Sequence, residues 1–374
     1  MDLGESLPVP SVQELVAKEP EMKQVPQRYL RRFQQHENDE VVAVSDQVPV
    51  IDFNALQQQQ PHSDHELNNL HHACKNWGLF HVVNHGISNS LVKKMKSQVG
   101  EQLFSMELSE KKEKKLWQEA DDIEGFGQMF VMSEEQKLDW ADAFFLVTRP
   151  HRVRKSRLFN NLPPSFRETV EEYSDELEKL AMKLIKLIGK ALNIDEEETK
   201  DMFEGGMQSM RMNYFPPCPN PELVDGLSPH SDASGLTILL QVTDIDALQI
   251  KNRNDDNSWI PVKALPDAFI VFIGDCLEIF SNGIYKSNLH KASVNSKSER
   301  ISIATFLHPK VDNVLGPAKS LTRPETEIGT PPCFRTIGVQ DFYKSFFKRE
   351  LLGTSQVDTL RIDEEAANGH EKIN

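Results

Sequence analysis

Beyond residue 205 the chain is a succession of short apolar runs separated by turn residues, and this rhythm limits what it can fold into more than any other feature. The runs are Met210–Phe215, Leu236–Val242, Leu248–Lys251, Trp259–Val262, Phe269–Ile273, Leu277–Phe280, Ile284–Lys286, His290–Val294 and Ile301–Leu307. They are too short and too β-branched for buried helices, so the pattern predicts a β-sandwich or barrel. Asn282-Gly283 falls between two of them and signals a hairpin, because both residues tolerate positive φ.

The N-terminal half has a different texture. Residues 1–47 form a polar extension with one short helix signal, Ser11 and Glu14 in capping-box spacing. A strand is expected over Val48–Phe53, a loop over Gln57–Ser63, a helix over Asp64–Asn76 and a strand from Gly78 to Val83, ending at an Asn84-His-Gly86 turn. Residues 88–116 and 165–193 carry longer helical patterns, with Lys111–Lys115 read as a solvated face. The expected division is an extension (1–47), a helix-rich region (48–204), a β catalytic region (205–312), a closing region with a helix near Val339–Leu352 (313–357) and a disordered tail (358–374).

Composition excludes several classes. A chain of 374 residues buries enough surface to fold without structural metal, so a bound metal would be catalytic. A formal charge of −15 repels phosphate backbones and anionic membranes, which argues against nucleic-acid and membrane partners. Cys74, Cys218, Cys276 and Cys333 form no CxxC pair, which suits a reducing compartment. No signal peptide or long apolar run is apparent, so a cytoplasmic monomer is expected.

Pro229-His-Ser-Asp232 leads into the apolar run at Leu236. In extended chain, residues i and i+2 point to one face about 7 Å apart, so His230 and Asp232 can converge on one ion. His290 opens a later strand that the sheet can fold across as a third ligand. Two histidines and one carboxylate leave three coordination positions open, the arrangement of non-haem Fe(II) oxygenases. A 2-oxo acid fills two of those positions and O2 the third, so a fourth protein ligand would block the chemistry. Pro61-His-Ser-Asp64 repeats the same four residues, but in a Gln-rich loop where Ser63 or Asp64 most simply caps the next helix.

Arg300-Ile-Ser302 follows His290 by ten residues and opens the last strand, so Arg300 and Ser302 share a face. A guanidinium grips a carboxylate with two parallel charge-assisted bonds, and a hydroxyl adds a third. The pair suits a dicarboxylic co-substrate.

Taken in order, Arg211-Met-Asn-Tyr-Phe-Pro-Pro-Cys-Pro219, His230-Ser-Asp232, Asn282-Gly-Ile-Tyr-Lys-Ser287 with His290, and Arg300-Ile-Ser302 resemble the plant 2-oxoglutarate/Fe(II)-dependent dioxygenase superfamily. Val48-Pro-Val-Ile-Asp52 and the stretch from Ala73 to Gly86 are similar to that family's leading domain, so the resemblance covers roughly residues 10–355. Glu124-Gly-Phe-Gly-Gln128 and Leu138-Asp-Trp-Ala-Asp142 look closest to the subgroup of thebaine and codeine demethylases and norcoclaurine-synthase-like proteins. The resemblance implies a mainly β protein with flanking helices, a double-stranded β-helix or jelly roll. It implies His230, Asp232 and His290 as iron ligands, Arg300 and Ser302 as the 2-oxoglutarate clamp, and Asn213 beside the co-substrate. Its cofactors would be Fe(II), 2-oxoglutarate and O2, with ascorbate in support.

One position departs from the family. A second tyrosine is usual after the asparagine, but here Phe215 shares the face of Asn213, so a hydroxyl offered to the co-substrate is missing. By similarity the substrate pocket takes Phe130, Ala143, Phe145, Arg211 and Phe306, although an aromatic on a strand is more often simply core. The expected reaction is hydroxylation or O- or N-demethylation of a ring-bearing small molecule such as an alkaloid, flavonoid, coumarin or hormone-like acid. Two other readings of the ligand set stay open: a zinc hydrolase, which has no use for Arg300 and Ser302, and a non-catalytic small-molecule binder on the same fold. The remaining histidines, including His71, His72 and His308, are read as surface or core.

Overall fold

A computed structural model describes residues 6–31, 40–41, 48–119, 122–255, 258–322, 330–348 and 355–362. The strands in chain order are β1 (Glu40–Val41), β2 (Val50–Asp52), β3 (Leu79–Val83), β4 (Gly125–Gly127), β5 (Asp142–Arg149), β6 (Gln208–Phe215), β7 (Leu227–His230) and β8 (Leu236–Gln241). They continue with β9 (Leu248–Lys251), β10 (Ser258–Pro261), β11 (Phe269–Ile273), β12 (His290–Ala292), β13 (Arg300–Leu307), β14 (Val314–Leu315) and β15 (Ile337–Gly338), the last two pairing only with each other. The larger sheet runs β2-β3-β11-β8-β13-β6-β5-β4 and the smaller β1-β10-β9-β12-β7. The two inner faces form a jelly roll, in which face-to-face packing of antiparallel strands buries the alternate side chains.

Helices flank the strands. They are α1 (Val12–Lys18), α2 (His62–Asn76), α3 (Asn89–Ser97), α4 (Leu108–Glu113), α5 (Ser156–Asn161), α6 (Pro164–Ala191), α7 (Glu196–Phe203), α8 (Asp275–Phe280), α9 (Lys319–Thr322) and α10 (Val339–Phe347). α6 begins with Pro164, whose fixed φ suits a first helical turn, and buries the stripe Phe166, Val170, Tyr173, Leu177, Leu184 and Ile188. One apolar core joins α2, α3 and α6 to the outer face of β6, β8, β11 and β13, so the helix-rich half and the β half share their packing.

Several expectations from the sequence are corrected. Leu277–Phe280 is helix α8 rather than a strand, and Ile284–Lys286 is irregular chain. All of Cys276, Leu277, Ile279 and Phe280 are buried, and a short apolar run buried on every side carries no period to separate helix from strand. Asn282 and Gly283 do have positive φ (53° and 79°), but they close α8, with Gly283 N donating to Glu278 O at 2.9 Å, in place of a hairpin. The 88–116 pattern is broken into α3, a wide helical segment over Gln98–Phe104, and α4. At the first Pro-His-Ser-Asp copy, α2 starts at His62 with Pro61 in the cap position and no side-chain cap, so neither Ser63 nor Asp64 caps it. Lys111 is not solvated: its Nζ donates to Gln13 Oε1 (2.9 Å) and Phe104 O (3.2 Å) and sits 4.3 Å over the Phe126 ring. The tail is ordered through Ile362, with Arg361 paired to Glu278 and Asp358; residues 363–374, and 349–352 of the expected last helix, lie outside the described residues.

The two subgroup motifs are structural clamps. Asp142 caps α1 from a distance, accepting from Ser11 Oγ (2.7 Å), Val12 N (3.1 Å) and Gln13 N (2.7 Å). Glu124 accepts from Val147 N at 2.8 Å, and burial raises its carboxyl pKa from the usual value to about 7. An acid with a raised folded-state pKa binds a proton in the folded state that the unfolded chain has released, so stability falls as pH rises from the unfolded value toward 7. Glu124→Gln, neutral throughout, should therefore gain on the order of 3 kcal/mol over the parent between pH 4.5 and 8. Urea melts of both proteins at several pH values check this, and a pH-independent difference between them refutes it.

Candidate active site

The centre of the barrel is built by pairing between β7 and β12. In that antiparallel pair His290 stands directly opposite His230, and the ring centroids are 4.2 Å apart. Asp232 leaves β7 two residues beyond His230, so its carboxylate returns to the same face. Oδ1 of Asp232 lies 3.6 Å from Nε2 of His230 and 3.8 Å from Nε2 of His290. The three ligand atoms fall within 4.8 Å of one another, and all three residues are buried.

Hydrogen bonding sets both imidazoles for a cation. His230 Nδ1 donates to Ser228 O (2.8 Å) and His290 Nδ1 donates to Asn288 O (3.2 Å). A carbonyl can only accept, so each Nδ1 carries a proton and Nε2 is the nitrogen turned inward as the ligand atom. Burial, reinforced by neighbouring His290, holds His230 far below the ordinary histidine range, so the ring stays neutral. Two neutral nitrogens and a carboxylate oxygen, open on one side, fit a divalent transition metal.

The second element is the ladder between β6 and β13. Its register pairs Arg300 with Phe215, Ser302 with Asn213, Ala304 with Arg211, and Phe306 with Ser209. Alternation brings all eight onto the inner face. Arg300 is buried, its pKa lowered by desolvation to about 10, and still a cation at neutral pH. Its Nη1 donates to Ser302 Oγ (3.4 Å) and Nη2 to Gln241 Oε1 (3.5 Å), while Nε has no partner among the described residues. Asn213 Oδ1, Gln241 Nε2 and Arg211 Nε are likewise buried and unpartnered. Folded proteins pair nearly all buried polar atoms, so this concentration marks a place for an anionic, hydrogen-bonding ligand. Phe215 offers its ring to Arg300 (5.2 Å), whereas Tyr214 turns away to donate to Glu299 Oε2 (2.6 Å) and stack on Phe104.

Two cavities meet at the triad. One is lined by Asn213, Phe215, Arg300, Ser302, His290 and Asp232, among others. The other is lined by Phe130, Phe145, Phe306, Phe346, Phe347 and His308, among others. Arg211, His230, Asp232 and Phe306 border both. Of the pocket residues expected from the sequence, Phe130, Phe145, Arg211 and Phe306 face the second cavity. Ala143 does not: it is buried in β5 opposite Asn213. Sequence reasoning missed Ser209, His308, Tyr343, Phe346 and Phe347. Period two from Arg211 and Phe306 could have found the first two, but no sequence signal brings α10 over the barrel mouth.

Comparison with known proteins agrees with this geometry. Residues 206–309 match the 2OG-Fe(II) oxygenase superfamily, and residues 48–165 match the family of non-haem dioxygenase in morphine synthesis N-terminal regions. The chain is 46% identical over 361 residues to oxoglutarate-dependent flavonoid 7-O-demethylase 1 of Ocimum basilicum, covering 96% of this chain and 93% of that protein. It is 45% identical to thebaine 6-O-demethylase of Papaver somniferum, covering 97% and 98%. A crystal structure of JOX2 in complex with 2OG, Fe and JA superposes with a TM-score of 0.81 at 31% identity, covering 96% of this chain and all of that one. The chain belongs to the 2OG-Fe(II) oxygenase superfamily. It is a dioxygenase that uses Fe(II) and 2-oxoglutarate, and no helix among its described residues is long and apolar enough to cross a membrane.

Proposed function

We propose that this dioxygenase hydroxylates, or removes an O- or N-methyl group from, a flat ring-bearing metabolite of alkaloid, flavonoid or hormone-like type, held in the aromatic cavity beside the triad. The observation that carries the reading is the place of the triad, on the wall between a cavity with unpaired cationic and amide groups and a cavity of aromatic rings. His230, Asp232 and His290 hold Fe(II). Arg300 and Ser302 receive the far carboxylate of 2-oxoglutarate, with Asn213 beside it and the Phe215 ring packed on the guanidinium. When bound, iron and co-substrate supply an oxidant able to take hydrogen from an unactivated C–H bond. Phe130, Phe145 and Phe306 orient the substrate's rings and exclude water, and Arg211 contributes a buried positive charge. Relatives that remove methyl groups from flavonoids and thebaine, and a neighbour solved with JA, support this range of substrates. Residues 205–312 act as the catalytic jelly roll, closed by 313–357 and preceded by a helical region, 48–204, and an extension, 1–47. The acidic charge fits a cytoplasmic monomer without a nucleic-acid partner, and ascorbate would keep the iron reduced.

Anaerobic addition of Fe(II) and 2-oxoglutarate should produce a weak visible charge-transfer band that His230→Ala abolishes. Under air, methoxylated flavones, methoxylated alkaloids and a jasmonate-type acid are then screened for stimulated succinate release. No band would refute the iron site, and no stimulation would refute the substrate class.

Co-substrate affinity should respond in opposite directions at the two ends of the Arg300–Phe215 contact. Arg300→Ala should weaken 2-oxoglutarate binding by on the order of a hundredfold while sparing iron, because truncating one side of a buried charged pair costs about 2–5 kcal/mol. Phe215→Tyr should tighten it roughly tenfold, since a new hydrogen bond to a charged group contributes about 1.5 kcal/mol or more. Titration of the charge-transfer band with 2-oxoglutarate measures both; equal affinities across the three proteins would remove Arg300 from the clamp.

A further inference from the structure

The aromatic cavity contains one polar chain that the proposed chemistry leaves unused. His308 follows β13 on the inner face, two residues beyond Phe306, and is buried. Its Nε2 lies 2.9 Å from Oγ of Ser209 on β6, and its Nδ1 lies 2.8 Å from Oη of Tyr343 on α10. The Tyr343 hydroxyl also reaches Ala233 O at 3.2 Å, next to Asp232. Ser209, His308 and Tyr343 all line the cavity that holds His230 and Asp232. Burial holds the imidazole far below its ordinary range, at about 3, so the chain is uncharged at neutral pH.

An uncharged chain of this kind has two proton arrangements. In the first, Tyr343 donates to Ala233 O, His308 Nδ1 donates to Tyr343, and Ser209 donates to Nε2, which leaves the serine oxygen as an acceptor toward the cavity. In the second, Tyr343 donates to Nδ1, Nε2 donates to Ser209, and the serine proton is free to point at a ligand. Both arrangements keep the imidazole neutral and all three groups bonded, so the serine can answer either a donor or an acceptor at little cost. The other polar side chains on this wall are Arg211, Ser234 and the two ligands His230 and Asp232, grouped toward the triad, and the rest is Met129, Phe130, Phe145, Phe306, Phe346 and Phe347, which offer a ligand oxygen nothing.

We propose that Ser209, positioned by His308 and Tyr343, is the substrate's polar anchor, and that this enzyme selects ring systems carrying a hydroxyl or carbonyl oxygen on the side held by Ser209. The inference rests on the aromatic cavity being the substrate site. It adds a requirement to that reading: a ring of the same shape without the oxygen is rejected, because it leaves a buried polar chain unsatisfied.

The test uses fragments, so it needs no turnover and stands whether or not the screened metabolites prove to be substrates. 4-Fluorophenol and 4-fluorotoluene are titrated by 19F NMR into the full-length protein, with Zn(II) as a diamagnetic stand-in for iron and 2-oxoglutarate present. A purely apolar cavity prefers the toluene, since the phenol must shed its water. With the anchor, the phenol should bind about tenfold tighter, the effect of one buried hydrogen bond. In Ser209→Ala the preference should vanish while 4-fluorotoluene affinity holds. Tyr343→Phe, which leaves the serine in place but frees the imidazole, should reduce the preference part-way. Equal binding of the two fragments to the parent, failure of the phenol to bind at millimolar concentration, or a preference that survives Ser209→Ala would each overturn the proposal. A fall in both affinities together in the variants would assign the three residues a packing role instead.

Discussion

The active site depends on one register. β12 pairs with β7 so that His290 faces His230, and the pairing shifts between His290 and Ala292. Side chains alternate along a strand, so a slip of one residue would send the His290 ring to the far side of the sheet. The outer flank of β12 is fixed independently by β9, where His290 stands against Ile250 and Ala292 against Leu248. Two neighbours therefore hold the register that sets the two imidazoles side by side. Pre-organisation of this kind reduces what metal binding must spend on ordering ligands.

The β6–β13 ladder sets a second constraint, the axis along which the polar and the aromatic parts of the inner face are separated. From the Arg300–Phe215 pair to the Phe306–Ser209 pair is six residues on each strand, roughly 20 Å at the usual rise. Along that line the inner face passes from guanidinium, amide and hydroxyl to aromatic carbon. The arrangement keeps two cations, Arg300 and Arg211, buried in the interior, with the charge of Asp246 acting on the first and those of Asp139 and Asp232 on the second. Taking a charge out of water costs a fold stability, and a ligand that binds the folded state returns stability by mass action.

Features contained within a strand or its immediate continuation were legible in the sequence. His230 with Asp232, Arg300 with Ser302, and Asn213 with Phe215 are i, i+2 pairs, and the period-two rule places each pair on one face without knowledge of the partner strand. Features that depend on what lies opposite were not legible. Leu277–Phe280 has no exposed side to betray its period, and Lys111 reads as solvent-facing until Gln13 and the Phe104 carbonyl close over it. His308 was passed over because its partners, Ser209 and Tyr343, come from elements 99 and 35 residues away. The two Pro-His-Ser-Asp copies make the same point, since identical residues open helix α2 in one place and end strand β7 in the other. Context alone separates them.

The N-terminal extension shows how far that context reaches. Arg31 donates to Asp139 Oδ1 at 2.9 Å, Asp139 accepts from Ser228 N at 3.1 Å, and the Ser228 carbonyl fixes the tautomer of His230. Ser6 donates to Gln128 O and accepts from Val131 N, bracketing Phe130, whose φ of 65° places it in the left-handed region. Phe130 packs face to face with Phe347 of α10, 5.4 Å between ring centres. A non-glycine residue holds such a backbone only where its surroundings over-determine it. Two ends of the chain, the extension and α10, therefore grip one strained phenylalanine at the cavity wall. Changes far from the triad in sequence can thus reshape what the cavity accepts without touching the residues that perform the chemistry.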